Sequence, residues 1–222
     1  MKKLFALLLM TAACLSAAAQ ESKLLEDWSH KMDLRDDSFV SPFGFMSVYY
    51  NHDMGAYNVQ GLGQHGVGLE ISTLYIGFHT WQGGRLNLGL LDFCADWHNA
   101  QKNYGFSQNL AGDAISPIPS PGVNGTCTSF AFLFPLALTQ DLGKWSLAVM
   151  AGPGVGFDHF ENKYIINGIR YKDQLYFDKG AYFRLNLSAH IWYKHVGLGI
   201  RYSFPKGFNG AGMISAGISF AI

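Results

Sequence analysis

Residues 181–193, Ala-Tyr-Phe-Arg-Leu-Asn-Leu-Ser-Ala-His-Ile-Trp-Tyr, carry the clearest periodicity in the chain. Ala181, Phe183, Leu185, Leu187, Ala189, Ile191 and Tyr193 alternate with Tyr182, Arg184, Asn186, Ser188, His190 and Trp192. A period of two is the mark of a β-strand with two chemically different faces. After a tight turn at Lys194-His195 the alternation resumes, with Val196, Leu198, Ile200, Tyr202 and Phe204 opposed to Gly197, Gly199, Arg201 and Ser203. It returns once more at the end, where Ile214, Ala216, Ile218, Phe220 and Ile222 are opposed to Ser215, Gly217, Ser219 and Ala221.

Working backwards, five further segments read as strands, near 41–50, 66–80, 85–98, 126–139 and 145–157. That makes eight, each long enough for the roughly 9–11 residues a tilted strand needs to cross hydrocarbon. The connections alternate in length. Those at 51–65, 99–125 and 158–180 are long, whereas 82–84, 141–144 and 194–195 are short. Parity switches at Leu74-Tyr75 and Leu90-Leu91, which predicts a bulge in each of those strands. In the first strand Phe43 and Phe45 alternate with Gly44 and Met46, so neither face is polar.

Composition points the same way. Only 14% of the residues are charged, against roughly 25% in ordinary soluble domains, while aromatics reach 15% and glycines number 26. Residues 1–19 read as a signal peptide: Lys2 and Lys3, an apolar run from Leu4 to Met10, and Ala17-Ala18-Ala19 before the cut. Cys14 follows Thr11 at the place where a lipobox needs a branched apolar residue, so a lipoprotein anchor is the weaker reading. Without Lys2 and Lys3, 14 basic residues face 16 acidic ones. No basic cluster interrupts that balance, and nucleic acid is not expected as a partner.

Beyond the leader no run of about 18 apolar residues exists, which leaves a closed barrel as the way to span a bilayer with every backbone group satisfied. The fold expected is therefore an all-β, up-and-down antiparallel transmembrane β-barrel of about eight strands over residues 39–222. Residues 20–38 form a periplasmic N-terminal segment, in which Leu24, Leu25, Trp28 and Met32 are spaced for one face of a short helix. Short turns would lie at the periplasm and long loops outside. Trp81, Trp145 and Tyr193 beside the short turns would form an inner aromatic girdle, with Tyr49, Trp97, Phe157 and Phe204 forming an outer one. A soluble lipocalin-like ligand carrier has the same strand count with the faces exchanged. The membrane reading is preferred because Ser146, Ala148, Gly152, Gly154 and Gly156 make one face small, while Trp145, Leu147, Val149, Val155 and Phe157 make the other large and apolar.

The signal peptide, the rhythm of short turns and long loops, and the terminal strand Ile214 to Ile222 resemble the small outer-membrane β-barrels, OmpA- and OmpX-like or PorT-like. The resemblance covers nearly all of the mature chain and lies in pattern, not in an invariant motif. It implies location in the outer membrane of a Gram-negative cell, contact with outer-membrane lipids and lipopolysaccharide, and insertion by the barrel-assembly machinery. In that family the last strand commonly ends in an aromatic; here Ile222 is last, with Phe220 two before it.

The long residues on the small face define the candidate site. Glu70, Asp92, Asp96 and His98 fall on strands two and three, and Arg184 and Arg201 on strands six and seven, opposite them in a ring of eight. A cross-barrel ion-pair network filling the lumen is expected, since each unpaired buried charge costs several kcal/mol. Asp96 and His98 share a face and admit a metal reading, but no HExxH, paired CxxC or EF-hand loop is present. No metal and no cofactor is expected. No histidine has a serine two residues on, and no G-x-S-x-G elbow occurs, so no catalytic set is visible and an enzyme is not expected. Cys94 and Cys127 flank the second long connection. A disulfide between them, in a secreted chain, and two separate buried thiols are both open readings.

The functions in play are a filled structural or surface-interaction barrel, a small passive channel, and a lipid A-modifying barrel enzyme, with the soluble carrier as a fourth. An extracellular ligand would meet the long loops. Loop 99–125, with Pro117, Pro119 and Pro121, reads as irregular, whereas Asn167-Gly168 within 158–180 is a hairpin signal.

Overall fold

The computed structural model describes residues 44–55, 62–81, 83–108, 115–175 and 180–221. The leader 1–19, the segment 20–38 with its short amphipathic stretch, and the terminal Ile222 lie outside the described residues.

Among the described residues twelve strands follow one another: β1 (Phe45–Asp53), β2 (Leu62–Trp81), β3 (Gly84–Ala100), β4 (Tyr104–Gln108), β5 (Ile115–Pro119), β6 (Val123–Leu133), β7 (Leu136–Leu142), β8 (Trp145–Ile166), β9 (Ile169–Leu175), β10 (Tyr182–Tyr193), β11 (Val196–Ser203) and β12 (Met213–Ala221). All pairings are antiparallel, and they close into a ring. β1 pairs with β2 and β12, β2 with β3, and β3 with both β6 and β7. These two pair with β8, β8 with β10, β10 with β11, and β11 with β12. β6 and β7 are one wall strand broken at Phe134-Pro135, so the barrel has eight staves. Proline has no N–H to give a ladder. The wall is held there by Gly89 N donating to the Pro135 carbonyl at 2.6 Å and Phe134 N donating to the Pro153 carbonyl at 2.9 Å.

Three tight turns mark one end of the barrel, between β2 and β3, β7 and β8, and β10 and β11. Their backbones need the left-handed region, taken by Gly83 at φ 73°, Gly143 at φ 72° and Lys194 at φ 59°. The opposite end carries the longer connections. Within 158–180 the hairpin expected at Asn167-Gly168 forms, both residues having positive φ (50° and 78°), as a type I′ turn requires. β8 and β9 pair from Phe160↔Leu175 to Ile166↔Ile169, continuing the wall past the barrel rim.

The wall alternates with its polar side inward. Ser47, Asn51, Glu70, Ser72, Asn87, Asp92, Asp96, Ser129, Arg184, Asn186, Arg201, Ser203, Ser215 and Ser219 are buried, while Val48, Val67, Leu88, Leu138, Ile191, Leu198, Ile200, Ile214 and Ile218 are exposed. Exposing a continuous apolar belt around a polar core is unfavourable in water and favourable in hydrocarbon. A soluble ligand-carrying barrel has these faces the other way round. The fold is thus a membrane-spanning type of up-and-down β-barrel, and the lipocalin-like alternative is set aside. No helix among the described residues is long and apolar enough to cross a membrane.

Three expectations need correction. The parity switch at Leu74-Tyr75 is real, with Leu74 exposed and Tyr75 buried, but no residue is inserted there. Leu74 adopts a left-handed φ of 61°, and the register is the same on either side of it, Thr73↔Leu91 and Tyr75↔Gly89. The shifts in that ladder fall instead at Leu62/Gly66 and Gly77/His79. Leu90 and Leu91 both face outward opposite this point. Gly89 beside them is required, because a Cβ there would lie 2.6 Å from Pro135 Cγ and 2.9 Å from Tyr75 Cε1.

Secondly, loop 99–125 is not irregular throughout: β4 and β5 pair from Tyr104↔Pro119 to Gln108↔Ile115. Prolines are tolerated there because β5, which carries Pro117 and Pro119, pairs with β4 alone in a separate two-stranded sheet. Thirdly, Tyr49 does not belong to an outer girdle. The register that places Phe45, Ser47 and Asn51 inward also buries Tyr49, whose ring lies 4.7 Å from the Arg201 guanidinium.

The remaining girdle residues divide by end. Trp145 and Tyr193 are cross-strand partners at the tight-turn end, both exposed, with rings 5.1 Å apart edge to face. Trp81 closes β2 at that end, its side chain lying outside the described ones. Toward the loop end Trp97 is exposed and Phe157 half-buried. Phe204 packs against Tyr202 at 5.0 Å and Phe208 at 5.6 Å, and Phe208 against Phe183 at 5.7 Å.

Candidate functional site in the barrel lumen

Inward side chains fill the lumen in three layers. At the tight-turn end Phe45, Tyr75, Ala137, Ala148, Met150 and Trp192 form an apolar cluster. The His190 ring stacks on Trp192 at 5.1 Å and on Phe45 at 4.4 Å. Trp192 Nε1 donates to Ser219 Oγ at 2.9 Å, so its one polar atom is satisfied within the cluster. Gly199 opens the space for this packing: a Cβ there would come within 2.7 Å of the His190 ring.

The middle layer is ionic and centred on Asp96. Arg184 Nη2 donates to Asp96 Oδ2 at 2.8 Å, Arg201 Nη2 donates to Oδ1, and Asn51 Nδ2 donates to Oδ1 at 2.9 Å. Arg201 Nη1 reaches Glu70 Oε2 at 3.4 Å. All four ionisable side chains are 4% exposed or less, so pairing offsets a desolvation cost that would otherwise be prohibitive. Most of the remaining donors are used as well, Arg201 Nε being the buried exception. Arg184 donates to Ser129 at 3.0 Å, Ser203 at 3.1 Å and Asn186 at 3.3 Å, and Arg201 to Ser215 at 3.4 Å. Guanidinium groups suit this role because their fork of donors can bind carboxylate and hydroxyls together.

Asp92 and His98 stand differently from the other four. None of the ion pairs among the described residues includes Asp92. It lies beside Glu70 and Cys94, their ligand atoms all within 4.8 Å of one another. His98 sits further toward the loop end, its Nδ1 3.3 Å from the Gly63 carbonyl oxygen.

Of the two readings left open for Cys94 and Cys127, the structure has two separate thiols, both free and buried, and not the disulfide. Cys94 faces Ala131 across the sheet and His98 faces Cys127. The two cysteines are thus offset by four residues along the ladder, ~13 Å at about 3.3 Å per residue, well beyond disulfide reach.

The third layer, at the loop end, was not visible in the sequence. Leu62, Phe106, Cys127, Phe160 and Met213 form a buried apolar cluster. Four of these line the wall; Phe106 enters from β4, in the loop. It is 1% exposed and meets the Phe160 ring edge-on at 5.0 Å. Asn162 holds it in place, accepting from Phe106 N at 2.8 Å and donating to the Phe106 carbonyl at 2.7 Å. An asparagine side chain offers one acceptor and paired donors, so it binds the β4 backbone as a neighbouring strand would. A lone phenylalanine in a proline-rich loop carries no period, and Asn162 lies in the stretch 158–180 that reads as a connection, so neither residue announces the contact in the sequence.

Above this cap the extended wall becomes polar. Glu161 bonds both Lys163 at 2.8 Å and Lys172 at 2.6 Å. Burial acts to raise the Glu161 pKa, but these two ammonium groups outweigh it and hold the carboxyl below its usual range. Ile165, Ile166, Ile169 and Tyr171 are exposed at the hairpin tip.

A closed eight-stave barrel with a three-layer filled lumen and an elaborated loop end is the class that fold and site define. No protein-family model matches the chain, and neither does any curated protein sequence. Among solved structures, the outer membrane enzyme PagL is similar over 81% of this chain and 98% of its own, with 15% identity and a TM-score of 0.37. Ail, the attachment invasion locus protein of Yersinia pestis, matches over 81% and 95% at 9% identity and a TM-score of 0.35. A mutant of Rh. blastica porin matches over 81% and 99% at 10% identity and a TM-score of 0.23. Values this low carry neither an activity nor a partner across to this chain.

Proposed function

We propose that this chain is an integral outer-membrane β-barrel of the OmpA/OmpX-like or PorT-like kind, closed to passage and presenting its loop-end hairpins as a surface-interaction platform. The observation that carries the reading is Asp96 of β3 bound at once by Arg184 and Arg201 from the adjacent strands β10 and β11 across the barrel, with the Phe45–Trp192 layer below it and the Phe106 layer above. Three consecutive packed layers support a barrel without a water-filled path. What then reaches the exterior is the β8–β9 extension and the β4–β5 hairpin, and recognition belongs there. The exposed apolar belt supports a lipid environment, and the Lys2-Lys3 leader with Ala17-Ala18-Ala19 supports export. Lipopolysaccharide and outer-membrane lipids are the surroundings this implies, with the barrel-assembly machinery inserting the chain and an extracellular ligand meeting the hairpins.

The reading is non-catalytic and needs no cofactor. It is tested with the mature protein refolded in detergent. A faster-migrating unboiled band on SDS gels, with no stable conductance in planar bilayers, is the expected result. Steady single-channel currents would replace this reading with a small passive channel. An altered lipid A mass profile on deletion of the chain would replace it with a lipid-modifying enzyme.

A further inference from the structure

The outward face of the loop-end rim carries a constellation that neither the filled lumen nor the hairpin platform uses. His52 of β1 and His65 of β2 are direct cross-strand partners. Opposite residues on antiparallel strands have Cβ atoms about 5 Å apart, and here the imidazole centroids are 5.4 Å apart with planes inclined by 35°. Two imidazoles on one tetrahedral ion, with metal–nitrogen bonds of about 2.1 Å, put their centroids ~5 Å apart. The Tyr50 hydroxyl lies in hydrogen-bond contact with His65 Nδ1, and the two rings stack at 5.7 Å. With Nδ1–H donating to the Tyr50 oxygen, His65 Nε2 keeps its lone pair. That is the arrangement by which an outer partner orients a metal-binding imidazole.

The position is accessible to aqueous ions. Val67 pairs with Tyr50 on one side and with Trp97 on the other, which places the histidine pair about 7 Å beyond that aromatic row, two residues toward the loops. His65 is exposed and His52 half-buried.

From this geometry we propose that His52 and His65 form a rim site for a divalent transition-metal ion such as Zn²⁺ or Cu²⁺. His52 and His65 supply two nitrogen ligands, Tyr50 orients His65, and solvent completes the coordination. Imidazole pairs favour this class of ion over Ca²⁺ or Mg²⁺, which take oxygen ligands. No local motif announces the site, because the two histidines are brought together only by strand pairing.

The test is calorimetric titration of the refolded full-length mature protein in detergent with Zn²⁺ alone, alongside Cu²⁺ electron paramagnetic resonance. One binding event is expected, weakened at least tenfold by His52→Ala and by His65→Ala, about tenfold by Tyr50→Phe, and unchanged by His195→Ala at the opposite end. The Cu²⁺ spectrum should show coupling to two nitrogens, reduced to one in either histidine variant. These residues face outward from the wall, and an unaltered heat-modifiable band confirms that each variant folds. Absence of Zn²⁺ binding by the parent, or equal affinity in the His52→Ala/His65→Ala double variant, overturns the proposal. Neither result bears on whether the barrel is closed.

Discussion

The middle and loop-end layers of the lumen are comparably buried yet are built in opposite ways. Asp96, Arg184, Arg201 and Glu70 all project from the wall itself, so the geometry of a closed barrel brings them together. The Phe106 layer is completed by a side chain that arrives from outside the wall, on β4, and is held by the two Asn162 hydrogen bonds. A site made by the wall is as durable as the wall. One made by a loop can be lost while the barrel remains, and this difference separates structure from adaptable function along one axis.

The largest expected effect breaks the middle layer. Asp96→Ala leaves Arg184 and Arg201 facing each other without their shared carboxylate, and removing one partner of a buried pair costs about 3–5 kcal/mol. The midpoint of urea unfolding, followed by the heat-modifiable band, should fall accordingly. Asp92→Asn sharpens the comparison within that layer. Three carboxylates, Glu70, Asp92 and Asp96, face two guanidiniums, and Asp92, which makes none of the ion pairs among the described residues, hydrogen-bonds Glu70, a contact the neutral amide of asparagine can keep. Asp92→Asn is expected to leave the midpoint unchanged or raise it. A loss as large as that of Asp96→Ala would show that Asp92 is an equal member of the network.

The contrast between the layers also explains what could be read in the sequence. Arg184, Arg201, Asp96 and Glu70 sit at even spacing on strands whose alternation was plain, and the short turns fixed which strands stand opposite. Register was harder. It depends on atoms the pattern does not show, such as the left-handed Leu74 and the close fit of Gly89 against Pro135. A one-residue error in register moves a side chain to the other face, and in the first strand, where neither face is polar, nothing in the pattern keeps Tyr49 off the lipid side. The choice between a Cys94–Cys127 bridge and two separate thiols was hidden for a related reason: flanking the same connection is not adjacency when pairing offsets the two by four places. Phe106 could not be found at all, since a loop residue has no period. The His52–His65 pair was equally hidden, because it exists only through the ladder.

Next in size is the loop-end cap. Truncating a buried phenylalanine costs about 3–5 kcal/mol in a rigid core, but the two-stranded β4–β5 sheet can shift to close part of the gap. Phe106→Ala is therefore expected to lower global stability less than Asp96→Ala does. Its main effect should be local, with faster amide exchange in Tyr104–Gln108 and around Phe160 while β10 to β12 stay protected. Uniform loss of protection throughout the barrel would mean that the cap is as integral as the ionic layer.

The smallest effect belongs to the extension beyond the rim, where water screens the ion pairs and each contributes little. Glu161 is held below its ordinary pKa by Lys163 and Lys172. A carboxylate whose folded pKa is depressed contributes stability that is fully present above its unfolded value, about 4.3, and is lost as pH falls through the folded one. The β8–β9 hairpin should accordingly loosen below about pH 4, seen as faster exchange at residues 160–175 after correction for the intrinsic pH dependence. Glu161→Gln should abolish that pH response. The lumen layers should remain protected over the same range, because Asp96 is shielded from solvent and bound by two guanidiniums and Asn51. If the hairpin and the lumen instead opened together as the pH fell, the distinction between a wall-built core and a separable loop end would collapse, and the surface platform could not move independently of the barrel that carries it.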